Sequence, residues 1–272
     1  MTVLDRIVET KRAEVAALAG RRDELRAAAR DAAPAEDFTA AIRSAPGMAV
    51  IAEVKKASPS AGVIREDFDP VAIATTYEAA GAACVSVLTD GPYFQGSMDD
   101  LVAVRAAVGL PVIRKDFVID PVQINEARAA GADCVLLIAE CLPGDELRRL
   151  YEAAGEAGIQ TLIELYEEAN VDRVLDLGPP LVGVNNRDLR SFTVDTGHSV
   201  RLQAMMPGSV TFVSESGIRT GEETAMLRGS GVDAVLVGET LMRADDPAAK
   251  LRELAGGEEA GRAASDREGG GP

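Results

Sequence analysis

The sequence predicts an α/β fold, a (β/α)8 TIM barrel preceded by an N-terminal helical extension. The first observation is a series of eight short blocks rich in β-branched residues, each long enough for one buried strand. The blocks begin at Met48, Ala83, Pro111, Cys134, Thr161, Leu181, Val210 and Ala234. The second observation is that stretches with helical spacing lie between the blocks, for example residues 70–80, 123–130 and 222–228. Strand and helix therefore alternate along the chain.

A repeated glycine junction is the third observation. Gly81, Gly131 and Gly231 each stand where a predicted helix ends, just before the next strand begins. They lie 50 and then 100 residues apart, which matches two and four repeats of about 25 residues. Eight nearly continuous apolar strands favour a closed parallel barrel over an open sheet. An open doubly wound sheet stays the structural alternative, although no GxGxxG motif follows the first strand.

Two segments lie outside the repeat. Residues 1–33 are expected to form the helical extension, because apolar residues recur on one helical face and Pro34 marks its end. That apolar face consists of Leu4, Ile7, Val8, Val15 and Leu18. Residues 34–255 form the predicted catalytic barrel domain. Residues 256–272 are almost devoid of apolar side chains, so we expect a disordered tail.

Composition and charge exclude several classes of protein. The 272 residues are 47% hydrophobic and 26% charged, which is typical of a globular domain. A net charge of −16 opposes general binding to nucleic acids or anionic membrane surfaces. The longest apolar run, residues 134–139, is too short to span a membrane, and Asp5, Arg6 and Glu9 interrupt any signal peptide. We therefore expect a cytoplasmic protein.

The cysteines and the single histidine narrow the chemistry further. Cys84, Cys134 and Cys141 are odd in number and form no CxxC pair, so we expect reduced and mostly buried thiols. His198 is the only histidine, which excludes histidine-rich metal sites. We expect His198 to be solvated in a loop after the sixth strand and not to be catalytic.

Reactive side chains stand at the ends of the predicted strands, where barrels of this kind place their active sites. These residues are Glu53, Lys55, Arg114, Lys115, Asp116, Glu164, Asn185, Asn186, Arg187, Glu215 and Ser216. Residues 53 and 55 point the same way, because side chains alternate along a strand. Structural pairing is the alternative for any one residue, but several glutamates and lysines at one rim indicate acid–base catalysis. We expect glutamates beside a lysine to stay ionised, and a lysine beside another cation to lose its proton more readily.

Glycines at the ends of the seventh and eighth strands predict an anion site. Ser216-Gly217 and Gly238-Glu239-Thr240 fall where such barrels commonly hold a phosphate on backbone N–H groups. The alternative is that these glycines serve ordinary turns. In a chain with a net charge of −16, an anionic substrate needs local cations, and Lys55, Lys115 and Arg187 are placed to supply them.

Five motifs resemble the indole-3-glycerol phosphate synthase family. They are IAEVKKASPS at residues 51–60, LTD at 88–90, PVIRKDF at 111–117, GVNNRDL at 183–189 and SESGI at 214–218. The similarity extends from residues 4–8 and Lys11 to residues 241–243. It implies closure of 1-(2-carboxyphenylamino)-1-deoxyribulose 5-phosphate to indole-3-glycerol phosphate in tryptophan biosynthesis, with loss of CO2 and water and without a metal or organic cofactor. The partner it implies is this small phosphorylated substrate, and we expect a monomer or a weak homodimer.

The resemblance also implies roles for individual residues. Lys115 matches the lysine that acts as general acid on the substrate's ketone, and Lys55 matches the one that holds the carboxylate side and assists dehydration. Glu164 matches the glutamate that transfers a proton at the dehydration step. Positioning roles are implied for Glu53, Asn185, Arg187, Glu215 and Ser216. A phosphate cradle is implied for Ser58, Gly217, Gly238 and the amides that follow, at Glu239 and Thr240.

The chain departs from the family's pattern at two positions. Tyr166 follows the fifth strand where a histidine is usual, and we expect a change near the site without loss of activity. Glu239 stands in the phosphate loop where serine occurs, so its side chain is expected to turn away from the phosphate.

Other functions stay open at this point. A related barrel such as a sugar-phosphate isomerase would release no CO2. A barrel that only binds a phosphorylated metabolite would tolerate the loss of Lys115 or Glu164. A second, neighbouring isomerisation in the same barrel also stays open.

Overall fold

The computed structural model describes residues 3–188 and 193–256, and a closed barrel of eight parallel strands dominates them. A short antiparallel hairpin, β2–β3, follows the first barrel strand. The strands are β1 Ala49–Val54, β2 Ala57–Ser58, β3 Gly62–Val63, β4 Cys84–Leu88, β5 Val112–Lys115, β6 Cys134–Ile138, β7 Gln160–Leu165, β8 Leu181–Asn185, β9 Thr211–Glu215 and β10 Ala234–Val237.

Helices precede the barrel and cover its outer face. They are α1 Val3–Leu18, α2 Arg22–Asp31, α3 Phe38–Arg43, α4 Pro70–Ala79, α5 Gly91–Phe94, α6 Met98–Ala107, α7 Pro121–Ala129, α8 Glu146–Ala157, α9 Val171–Leu175, α10 Gly197–Gln203, α11 Gly221–Gly229, α12 Glu239–Arg243 and α13 Pro247–Leu254. Single turns of 3₁₀ helix occupy residues 19–21, 139–141 and 168–170.

The closed barrel confirms the fold class and all eight predicted strands. Going around the barrel, the order is β1, β10, β9, β8, β7, β6, β5 and β4. Ile51 of β1 pairs with Cys84 of β4 on one side and with Leu236 of β10 on the other. The open doubly wound sheet is therefore wrong, because such a sheet would leave β1 or another strand with a free edge.

Local sequence signals begin many of the helices. Asp120 accepts a hydrogen bond from the backbone N–H of Val122, while Gln123 reaches back to the backbone of Asp120, so α7 begins with a capping box and a proline at its first turn. Thr220 and Glu223 form a second capping box at α11. Each cap accepts hydrogen bonds from backbone N–H groups in the first turn, which have no partner within the helix. The caps therefore fix the residue at which each helix begins.

Two apolar layers hold the barrel together. The inner layer, which includes Ile51, Ile113, Leu162 and Val213, fills the barrel between its strands. Phe38 of α3 is fully buried against this layer and closes the end opposite the strands' carboxyl termini. The outer layer packs the other face of each strand against the helices. Because both faces are buried, polar side chains concentrate at the strand ends, where the cavity described below opens.

The N-terminal extension is helical, as the sequence predicts, and a 3₁₀ turn divides it into two α-helices. The chain leaves α1 at Leu18, makes a 3₁₀ turn, and begins α2 at Arg22. Gly20 lies in that turn, and Arg21 has a φ of −107°, outside the helical range. The predicted apolar stripe is only partly covered: Ile7 is buried, whereas Leu4, Val8, Val15 and Leu18 are half-buried.

Some sequence-based expectations fall outside the described ranges. Residues 1–2 of the predicted extension, residues 189–192 and, apart from Gly256, the predicted tail at 256–272 lie there. Within residues 3–188 and 193–256, none of the helices combines the length and the apolar character needed to cross a membrane.

Candidate active site

The residues that the sequence places at the site all line one cavity of about 510 Å³ at the carboxyl ends of the barrel strands. They are Glu53, Lys55, Ser58, Lys115, Glu164, Asn185, Arg187, Glu215, Ser216, Gly217, Gly238, Glu239 and Thr240. They come from six of the eight barrel strands or the loops after them. Closure of the barrel therefore brings together side chains that are up to about two hundred residues apart in the sequence.

Lys115 lies at the centre of the charged group in this cavity. Its Nζ is 2.9 Å from Glu164 Oε2 and 2.8 Å from Glu215 Oε2. Burial alone would lower the pKa of Lys115, but the carboxylates of Glu164, Glu215 and Glu53 outweigh it and raise the pKa above its ordinary value. The ammonium group is therefore charged at neutral pH. This differs from the expectation that a neighbouring cation would ease its deprotonation, because its closest neighbours are carboxylates.

The two glutamates beside Lys115 have opposite pKa shifts. Burial and the nearby Glu164 carboxylate raise the pKa of Glu215 to about 8, although Lys115 opposes this. For Glu164, burial is outweighed by Lys115 and by a hydrogen bond from Asn185, so its pKa is lowered. These opposite shifts favour a proton on Glu215 over one on Glu164. The lowered pKa of Glu164 agrees with the expectation that a glutamate beside a lysine stays ionised, whereas the raised pKa of Glu215 runs against it.

Gly183 and Asn185 shape the surroundings of these glutamates. Asn185 Nδ2 donates to Glu164 Oε1 over 3.2 Å. A methyl group on Gly183 would overlap Glu215 Oε1 and lie 3.2 Å from Leu162 Cδ1. A residue without a side chain at position 183 therefore leaves the space in which the Glu215 carboxyl lies.

A second lysine–glutamate pair lies on the β1 side of the cavity. Lys55 Nζ is 2.7 Å from Glu53 Oε1, as expected for side chains two positions apart at the end of a strand. A methyl group on Gly238 would overlap Glu53 Oε1 and lie 2.9 Å from Lys55 Nζ. The pair therefore requires a residue without a side chain at position 238, in the loop after β10.

Apolar side chains also form part of the cavity wall. Leu4 and Ile7 of α1 line it together with Phe94, Phe117 and Ile138. The rings of Phe94 and Phe117 pack with their centroids 6.1 Å apart. The helical extension thus covers part of the mouth, and the cavity offers apolar surface suited to a flat ring as well as charged groups.

The region proposed to bind an anion lies between the ends of β9 and β10. Ser216 and Gly217 both have positive φ, 67° and 81°. Ser58 Oγ accepts from the backbone N–H of Ala61, and Thr240 Oγ1 donates to the carbonyl of Ile218, so the Thr240 hydroxyl is already engaged. Backbone N–H groups, and not the Thr240 hydroxyl, are therefore the candidate donors for an anion in this region.

Glu239 and Arg187 face each other across this region. Glu239 Oε1 accepts from Arg243 Nε over 2.9 Å, and its Oε2 lies 4.0 Å from Arg187 Nη2. The Glu239 side chain therefore turns toward Arg243 but stays on the cavity wall. Lys55, Lys115 and Arg187 all line the cavity as expected, yet each lies near a carboxylate, so the positive charge there is partly balanced.

His198 does not lie in a solvated loop, which corrects the expectation from the sequence. It belongs to α10 and is half-buried; its Nε2 donates to the Tyr166 carbonyl over 2.7 Å. The two rings pack 4.4 Å apart, between centroids. Tyr166, the residue that departs from the family pattern, therefore packs against His198, and among the described residues His198 is absent from the cavity wall.

Two residues near the site were not assigned a role from the sequence. Lys11 of α1 is fully buried, and its Nζ lies 2.8 Å from Asp90 Oδ2, 2.8 Å from Asp116 Oδ1 and 2.8 Å from Glu14 Oε2. Burial would lower the pKa of Lys11, but Asp116 and Asp90 outweigh it and raise the pKa. Asn186 is fully buried behind the mouth. The sequence offered one signal for each residue. Lys11 is a lysine on an apolar helix face, and Asn186 is a second asparagine, just after the end of β8.

Comparison with known proteins identifies the family of this chain. The family model described as indole-3-glycerol phosphate synthase matches residues 4–254. An indole-3-glycerol phosphate synthase of Rhodopirellula baltica is 54% identical over 253 residues, covering 90% of this chain and 96% of that protein. One from Roseiflexus sp. is 48% identical over 266 residues, covering 94% and 99%. Among solved structures, the tryptophan synthase alpha chain from Legionella pneumophila subsp. pneumophila has a TM-score of 0.60 at 12% identity, covering 80% of this chain and 94% of that one. At that identity the likeness shows the fold alone.

Proposed function

The chain belongs to the indole-3-glycerol phosphate synthase family, and from that premise we propose how its residues carry out the reaction. The reaction closes 1-(2-carboxyphenylamino)-1-deoxyribulose 5-phosphate to indole-3-glycerol phosphate in tryptophan biosynthesis, with release of CO2 and water. The enzyme is a carboxy-lyase. The ring carbon that bears the carboxylate attacks the ketone carbon, the carboxylate leaves as CO2, and the resulting hydroxyl leaves as water.

Lys115 is the general acid for ring closure. Within the described ranges, two of the three N–H bonds of its ammonium group are directed to Glu164 and Glu215, which leaves a third for the ketone oxygen. Its raised pKa keeps the proton in place until attack by the ring carbon makes that oxygen strongly basic. Before this step, the carboxylate of Glu164 stabilises the ammonium group. The proton then moves from Lys115 Nζ to the ketone oxygen.

Dehydration is assigned to Lys55 and Glu164. Lys55, held by Glu53, binds the substrate's carboxylate before CO2 leaves and then assists departure of the hydroxyl as water. Glu164 is the ionised carboxylate of its pair, so it accepts the proton released when the indole double bond forms. Glu53, Asn185 and Glu215 position these groups through the contacts described above.

The phosphate group is assigned to the cavity side formed by the ends of β9 and β10. Ser58, Arg187, Ser216, Gly217 and Gly238 line it, with the backbone amides of Glu239 and Thr240 at the start of α12. Glycines at 217 and 238 allow a phosphate oxygen to approach backbone N–H groups closely. The apolar side, toward Leu4, Phe94 and Phe117, then receives the carboxyphenyl ring.

One observation carries this proposal. Lys115 and its two glutamates, which come from three separate strands, meet inside a cavity whose wall also contains apolar side chains and glycine-bearing loops. The same cavity therefore offers a proton donor for the ketone, a proton acceptor and separate places for a ring and a phosphate.

The test is to give the purified protein the carboxyphenylamino ribulose phosphate and to measure indole fluorescence together with CO2 release. The proposal expects one mole of CO2 for each mole of indole product. An isomerase of the same fold would convert a sugar phosphate without CO2, and a barrel that only binds the substrate would give neither signal. Either of those results would contradict the proposal.

The remaining expectations are part of the proposal and rest on the family and the sequence. We take residues 1–33 as a helical extension, 34–255 as the catalytic barrel and 256–272 as a tail. The partner is a phosphorylated small molecule, and the proposed location is the cytoplasm, which suits three cysteines with free thiols. A monomer or weak homodimer is the proposed oligomeric state, to be measured by sedimentation.

A further inference from the structure

Asn186 is a buried polar residue behind the mouth, and its side chain points the opposite way from that of Asn185. Asn185 directs its amide into the cavity, toward Glu164. Asn186 is the next residue, so the alternation of side chains sends its amide away from the cavity. It is fully buried there, between the end of β9 and the start of α10.

The hydrogen bonds of Asn186 fix the orientation of its side-chain amide. Its Oδ1 accepts from the backbone N–H of Ser199 over 2.9 Å, which only the oxygen of the amide can do. Its Nδ2 therefore donates its two hydrogens, one to Ser214 Oγ over 3.0 Å and one to the carbonyl oxygen of Ser216 over 3.2 Å. The whole side chain is thus held in one position.

The bond to the Ser216 carbonyl has a consequence for the peptide that joins Ser216 to Gly217. The carbonyl and the N–H of a trans peptide point in opposite directions, and the described chain contains no cis peptide. Because Asn186 draws the Ser216 carbonyl away from the cavity, the N–H of Gly217 points toward it. Both residues have positive φ, which a serine adopts only when its surroundings hold it there.

We infer that Asn186 is a positioning residue that aims the Gly217 N–H at the anionic end of the substrate. The inference rests on the proposed function for the identity of that anion, a phosphate monoester. Val194 and Thr196 support the same turn from the other side, since a methyl group on Gly217 would overlap Val194 Cγ1 and lie 3.2 Å from Thr196 Cγ2. Asn186 never touches the ligand and acts through the peptide it holds.

The experiment compares two substrates, the phosphorylated one and the same compound without its phosphate. In Asn186→Asp an oxygen replaces the donor and repels the Ser216 carbonyl, and in Asn186→Ala the donor is lost. For both variants we expect kcat/KM for the phosphorylated substrate to fall about 10- to 100-fold, the effect of one hydrogen bond to a charged group, mainly through KM. For the dephosphorylated compound we expect kcat/KM to change less than about threefold.

Ser214→Ala is the matched control. It removes another hydrogen bond of the same buried amide but leaves the Ser216 carbonyl bonded to Asn186. We expect this variant to unfold at a lower temperature while it keeps the wild-type preference for the phosphorylated substrate. The inference would be overturned if the Asn186 variants kept the wild-type preference for the phosphorylated substrate, whether kcat/KM falls equally for both substrates or changes for neither.

Binding of inorganic phosphate separates this inference from the proposed function. The dissociation constant of phosphate, measured by its protection against thermal unfolding, should rise about 10-fold or more in Asn186→Ala and stay unchanged in Ser214→Ala. A wild-type protein that binds phosphate but does not close the indole ring would refute the proposed function alone. Phosphate binding that is equal in wild type and Asn186→Ala would refute the role of Asn186.

Discussion

Lys115 Nζ lies 2.9 Å from Glu164 Oε2, in an ion pair that joins the ends of β5 and β7, two strands separated in the barrel by β6. Both side chains are buried, so the attraction between them is little screened by solvent. The pair therefore keeps a proton donor and a proton acceptor in contact within one cavity. The geometry of this pair depends on glycine at position 183, which leaves room for Glu215, and on the charged groups nearby. Both dependences can be tested by substitution.

Gly183→Ala is expected to lower kcat. The added methyl group would occupy the place of Glu215 Oε1, so the Glu215 carboxyl and the Lys115 ammonium must shift. Displacement of catalytic groups by about 1 Å costs on the order of 10²-fold in rate. Overpacking also costs about 1–3 kcal/mol, so a lower thermal midpoint should accompany the loss.

Gly229→Ala is the control for this substitution. Gly229 ends α11, and a methyl group there would meet nothing within 4 Å. Its kcat and thermal midpoint should equal or exceed those of the wild type. If Gly183→Ala kept wild-type kcat, Glu215 would not need the position that it has in the structure.

The raised pKa of Glu215 predicts how stability depends on pH. In the unfolded chain the carboxyl ionises near pH 4.5, whereas the folded protein keeps its proton up to about pH 8. Between these values the folded state binds more protons than the unfolded state, so its stability falls as pH rises. This contribution is complete below about pH 4.5 and lost above about pH 8.

Urea unfolding of the wild type and of Glu215→Gln between pH 5 and pH 8 measures this contribution. The free energy of unfolding of the wild type should fall relative to that of Glu215→Gln as pH rises. The buried thiols do not interfere in this range, because burial raises the pKa of Cys84 and Cys134 and both stay protonated. Parallel curves for the two proteins would show that Glu215 is ionised throughout.

Lys11→Met is expected to destabilise the protein. The substitution leaves the carboxylates of Asp90 and Asp116 buried without the ammonium that lies 2.8 Å from each. Breaking a buried ion pair from one side costs about 3–5 kcal/mol. Arg114 still contacts Asp116, so the lower part of that range is expected in urea unfolding.

Arg12→Ala, one position along the same helix, is the control for Lys11→Met. Arg12 and its partner Glu9 are both mostly exposed, at 67% and 70%. Their pairing is screened by water, so the unfolding midpoint should stay at its wild-type value. Similar midpoints for the two variants would mean that the buried cluster around Lys11 does not hold α1 on the barrel.

The strands, the closed barrel and the residues that line the cavity could be predicted from the sequence. Buried parallel strands have an apolar pattern, and their polar ends must gather at one rim, so Glu53 and Lys55 could be paired from alternation alone. The positions of single residues such as Lys115 followed from the same rule.

Contacts between distant residues could not be predicted in this way. Lys115 meets carboxylates that lie 49 and 100 residues further along the chain, and whether its nearest neighbours are carboxylates or cations depends on how the barrel closes. The proton on Glu215 depends on burial depth, and the packing of His198 on Tyr166 depends on the loops after β7 and β8. Spacing along the sequence contains none of this information.

The most direct test of the central claim is the turnover of Lys115→Met, measured by indole fluorescence and CO2 release at neutral pH. Methionine preserves much of the lysine's length but removes the proton donor, so ring closure should fall by a factor on the order of 10²–10⁴ while circular dichroism shows an intact fold. Wild-type turnover in a folded Lys115→Met protein would contradict the account, because the ketone would then receive its proton from another group.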